Sequence, residues 1–67
     1  MKNYSTQPPT ANQIREARLQ AGMTLNSASQ LLYVHIDTWS KWESGARAMH
    51  PAFWELFMRK LSEEQTQ

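Results

Sequence analysis

The chain has 67 residues, no cysteine and a formal charge of +1, with 40% hydrophobic and 10% aromatic residues. That length holds one domain with a small core, marginal in stability unless its aromatic side chains or a second copy reinforce it. Disulfides and thiolate metal sites are excluded, and the longest apolar runs, Leu31-Leu32-Tyr33-Val34 and Leu56-Phe57-Met58, fall far short of the roughly 20 residues of a membrane span.

Residues 1–9, MKNYSTQPP, are polar, lack periodicity and end in Pro-Pro; they predict a flexible arm. A first helix is predicted from Thr10 or Asn12 as cap to Gln20 or Ala21, with Ile14, Ala17 and Ala21 as its apolar stripe. Gly22 ends it. Thr24 is a good N-cap for a second helix over about 25–32. Tyr33 and Val34 form a turn, and His35 starts a third helix over about 36–43, closed by Gly45. A loop follows to His50. Pro51 suits the first turn of a fourth helix over about 51–62, and 63–67 reads as a tail. No strand pattern of useful length and no repeat is present. The expected fold is all-α, with four or five helices in one domain over 10–62 and a central helix-turn-helix.

Ala28, Leu32, Val34, Trp39 and Trp42 are the apolar residues that would lock helices two and three together. Asp37, Thr38, Ser40 and Lys41 are polar. Such a helix packs on one side and offers a hydrogen-bonding edge on the other. Held at a steep angle by its partner, it has the form that enters the major groove of DNA. Two indoles three residues apart fit a core better than a base-stacking platform.

The fourth helix, PAFWELFMRKL, is more apolar than a stripe about 100° wide requires. Phe53, Leu56 and Phe57 read as one face; Trp54, Met58 and Leu61 read as the other. Two readings stay open. Both faces enter a small aromatic core, or Phe53, Trp54, Phe57, Met58 and Leu61 include a self-complementary dimer patch. Glu63 and Glu64 lie in the tail, so residues 1–62 carry seven Lys/Arg against four Asp/Glu. That is a weak basic footprint. His35 and His50 have no Cys or paired Asp beside them, so no metal site is expected. There is no Gly-rich phosphate loop, nucleophile–base pair or acidic dyad. No enzyme, cofactor or small-molecule ligand is therefore expected, and no signal peptide is visible, which predicts a soluble cytoplasmic protein.

Gly22-Met23-Thr24, Ala28-Ser29, Leu32, Val34, Trp39, Trp42-Glu43 and Gly45, in that order and without a gap, resemble the helix-turn-helix of Cro and lambda-repressor-like (XRE-type) regulators. Ile14 and Arg18 fall where that family has a core aliphatic and an arginine. The stretch TWSKWESG, then Arg47 and FWELF, is similar to small phage-encoded regulators, including anti-CRISPR-associated repressors. The likeness covers about residues 12–61. It has departures. Leu25 stands where the family often has a DNA-contacting Gln, and Ser29 replaces a frequent Ala. Tyr33 stands where the family has a turn Gly, so either it adopts positive φ under strain or the turn is built differently.

The resemblance implies base-reading positions at Ile36, Asp37, Thr38 and Lys41. Lys41 can donate to guanine O6 and N7, Asp37 can accept from cytosine N4, Thr38 can bond a base or touch a thymine methyl, and Ile36 suits a thymine methyl. Asp37 would otherwise cap the helix. Backbone contacts are expected from Thr24, Asn26, His35, Ser40 and Arg47, with Arg15 and Lys2 adding long-range attraction. The resemblance also pairs Arg18 with Glu43 across helices one and three, as structure rather than readout. The function expected is a homodimeric repressor on an inverted repeat of double-stranded DNA, controlling its own operon. The alternative is a protein-interaction module, an antitoxin or phage inhibitor, using the fourth helix. The weak charge and Leu25 favour the alternative; Lys41 and Arg47 favour the first.

Overall fold

The computed structural model describes residues 8–65; most of the expected N-terminal arm, residues 1–7, lies outside them. Four helices follow in order: α1 Ala11–Gln20, α2 Leu25–Leu31, α3 Ile36–Ser44 and α4 Pro51–Gln65. No strand occurs among the described residues. The fourth helix runs three residues beyond its expected end and takes in part of the tail. None of the described helices is long and apolar enough to cross a membrane.

Each helix start is fixed by a side chain from the residue before it or close to it. Thr10 accepts from the Gln13 N–H at 3.1 Å while its own N–H donates to Gln13 Oε1 at 2.9 Å. Thr24 and Ser27 repeat this capping box at 3.0 Å in both directions. For α3 and α4 the cap is an imidazole: His35 Nδ1 accepts from Asp37 N–H, and His50 Nδ1 from Ala52 N–H, each at 3.0 Å. Asp37 therefore does not cap α3; His35 does.

The ends of α1 and α2 share one motif. Met23 N–H donates to the Arg18 carbonyl and Gly22 N–H to Leu19; eleven residues later Val34 N–H donates to Ser29 and Tyr33 N–H to Gln30. Both are Schellman closures, which place the residue after the C-cap in the left-handed region. Gly22 has φ +73° and Tyr33 φ +60°. A side chain there costs about 1–2 kcal/mol, so Tyr33 occupies the turn under strain rather than rebuilding it.

α3 packs against both α1 and α2. The core is Ile14, Ala28, Leu32, Trp39, Trp42, Met49 and Phe57. Trp39 is at its centre, with edge-on contacts to Trp42 at 5.5 Å and to Phe57 at 5.1 Å, the geometry aromatic quadrupoles favour. Trp42 continues the stack to Phe53 at 5.3 Å. Phe57 is fully buried, which removes it from the expected dimer patch. Its ring is used inside the protomer to hold α4 against α3. Phe53, Trp54 and Leu61 are half-buried against the same core, whereas Leu56 and Met58 are each 37% exposed. Leu56 and Met58 flank the buried stripe on opposite sides, so Leu56 does not share an inward face with Phe53 and Phe57.

Candidate nucleic-acid interface

The position of α3 follows from what sits beneath it. Trp39 and Trp42 point inward. On a 3.6-residue period that turns Asp37, Ser40, Lys41 and Ser44 outward, with Ile36 and Thr38 along the two edges. Asp37, Ser40, Lys41 and Ser44 are exposed, Thr38 is half-buried, and Ile36 is 36% exposed. The four expected base readers are thus brought to one side of one helix. Ser44 shares that side, three and seven residues on from Lys41 and Asp37 and beyond the expected helix end at 43, but its hydroxyl closes the helix end, donating to the Lys41 carbonyl and accepting from the Ala46 N–H, each at 3.2 Å.

α3 is held by a charged clamp underneath. The Arg18 guanidinium donates Nε–H to Glu43 Oε2 at 2.5 Å and Nη2–H to Oε1 at 3.1 Å, a bidentate fork from α1 to α3. A third N–H reaches the Met23 carbonyl at 3.0 Å. The Trp39 indole N–H donates to Glu43 Oε2 at 2.5 Å. Both charged side chains are only 12% and 11% exposed. Burial pushes the Glu43 carboxyl up, but the hydrogen bonds from Arg18 and Trp39 and the charges of Arg18 and Arg15 outweigh it and hold Glu43 below its ordinary value. The bond to Glu43 raises Arg18 against the opposing effect of burial.

Around the outward face lie the expected backbone contacts. Asn26 and His35 are exposed at the starts of α2 and α3. Because His35 Nδ1 accepts the Asp37 N–H, the ring proton sits on Nε2, which is left as a donor. The Asp37 carboxylate stands 3.7 Å from Nδ1. Thr24 is also exposed, but its hydroxyl is engaged with Ser27 in the cap. Arg47 is exposed in the loop after α3, and its N–H donates to the Lys41 carbonyl at 3.2 Å, so α3 carries it. Leu25 is half-buried against the core and offers no polar contact.

A short helix with indoles inward and polar side chains outward, braced by a second short helix across a tight turn, defines a helix-turn-helix module. The chain belongs to the helix-turn-helix domain family, whose model matches residues 11–65. It is also similar to the type II methyltransferase M.MspI of a Moraxella species, with 36% identity over 47 residues. That stretch is 70% of this chain and 11% of the methyltransferase, so the chain spans only a small part of that relative.

Proposed function

We propose that the protein is a sequence-specific repressor of the Cro/lambda-repressor-like kind, phage-encoded and cytoplasmic, which binds an inverted repeat in double-stranded DNA as a homodimer and controls its own operon. The observation that supports this best is the division of α3 into a buried indole side and an outward side bearing Asp37, Ser40, Lys41 and Ser44. In this reading Lys41 donates to guanine, Asp37 accepts from cytosine, and Thr38 and Ile36 meet thymine methyls. Asn26, His35, Ser40, Arg47 and the start of α2 at Thr24 hold the phosphates and set register. The protein has no catalytic step; it acts by covering a promoter. The methyltransferase likeness fits a binding unit, since the shared stretch is a tenth of that larger protein.

A twofold pair would place two copies of α3 one helical turn apart, roughly 34–36 Å. Trp54, Met58 and Leu61 follow one another at four and three residues along α4, and Met58 and Leu61 border a groove against Ala17 of α1 and its C-cap Ala21. This is the self-complementary surface assigned to the dimer, with Phe53 at its far edge. Selection of bound fragments from random duplex DNA tests the reading. An inverted repeat is expected; recovery of no preferred sequence overturns it.

A further inference from the structure

Tyr33 holds a left-handed conformation that glycine holds at the matching position after α1. The residue is 85% exposed, so burial within the protomer does not offset the strain. Non-glycine residues kept in such conformations concentrate at functional sites. The ring is nevertheless positioned: Lys60 Nζ, from α4, lies 4.6 Å from its centroid, within cation–π distance. An ammonium from α4 is thus held over the ring of an exposed tyrosine, two residues ahead of the His35 cap of α3.

A cation over the ring and the O–H donor that the same ring carries together suit an anionic oxygen. Duplex DNA offers phosphate oxygens along both rims of the groove that α3 would enter, and tyrosine hydroxyls and lysines are among the groups that contact them. We propose that Tyr33 and Lys60 form a DNA-backbone clamp, in which the phenol donates to a phosphate oxygen and the ammonium neutralises it. The clamp rests on the DNA-binding reading above and extends that interface from the helix-turn-helix to α4. Its contribution is independent of base sequence.

The test measures binding of the selected duplex and of a scrambled duplex of equal length, across a salt series, with thermal melts alongside. Y33G is expected to melt no lower than the wild type, because glycine carries no strain there, yet to bind both duplexes roughly tenfold more weakly. Y33F keeps the ring beneath Lys60 and loses only the hydroxyl, and should fall most of the way to Y33G. K60A should flatten the slope of log affinity against log salt by about 0.9. Wild-type affinity in Y33G or in Y33F overturns the clamp and leaves the DNA-binding reading intact; that is also the pattern if Tyr33 serves a protein partner. Failure of the wild type to bind either duplex overturns both.

Discussion

Glu43 shows how one side chain decides whether α3 stays in place. It takes three donated hydrogen bonds, two from Arg18 and one from Trp39, at a site where an unpaired charge is costly. Removing one partner of such a pair costs about 3–5 kcal/mol, a large share of the stability of a domain this size. Glu43→Ala should therefore lower the melting temperature far more than Asp37→Ala, whose carboxylate lies outside in water; equal shifts would contradict the clamp. The pH dependence has a definite sign. Folding favours the ionised carboxyl, so its contribution is complete above the ordinary glutamate value of about 4.3 and is lost as pH falls through the lowered folded value. Melts taken downward from pH 7 should show that loss in the wild type, and a smaller acid-dependent loss in Glu43→Gln, which starts less stable.

Lys41 and Arg47 separate by what they are asked to touch. Lys41→Ala should cost about 1–3 kcal/mol on the selected duplex and relax preference at one base pair. Arg47→Ala should weaken selected and scrambled duplexes alike, as measured by competition binding. Not every residue was readable from order and type. The Arg18–Glu43 pair came from likeness to a family; no period links positions 25 residues apart. Met49 is fully buried from within a loop, where no repeat of apolar positions could mark it. Tyr33 left two possibilities open, because strain is a property of the backbone and only φ distinguishes them.

At the level of elements, α3 was legible because two indoles three residues apart leave one choice of inward side. Thr10, Thr24 and Gly22 marked boundaries for the same reason: each supplies a backbone need that few residue types meet. α4 was less legible. Its apolar residues cover too much of the helix for periodicity alone to say which ring is spent inside, and Phe57 went to the core while Leu56 stayed out. That asymmetry makes a prediction. Met58→Glu, on the Trp54–Leu61 side, should convert a dimer to a monomer in sedimentation velocity and weaken DNA binding with it. Leu56→Glu, on the opposite flank, should leave the association state unchanged. The reverse result would move the dimer surface to the groove lined by Ala52, Glu55, Leu56 and Arg59.

For the molecule as a whole the formal charge is only +1, so attraction to DNA must come from placement rather than excess. Arg18 is neutralised internally and Arg59 lies 3.9 Å from Glu55, which leaves Arg15, Lys41, Arg47 and Lys60 among the described residues to carry it. Affinity for the selected duplex should fall linearly with salt on logarithmic axes, with a slope near −0.9 for each phosphate neutralised. A flat response would favour a protein partner.

The placement of the three tryptophans also gives the protein its own optical reporters. Trp39 and Trp42 are sealed from solvent and Trp54 is half-open on α4. An aqueous quencher such as iodide should reach Trp54 and spare the other two. Dilution through the association range should then raise quenching, while occupancy of α3 by a duplex should alter the emission little. One unlabelled sample could follow pairing and unfolding as separate signals.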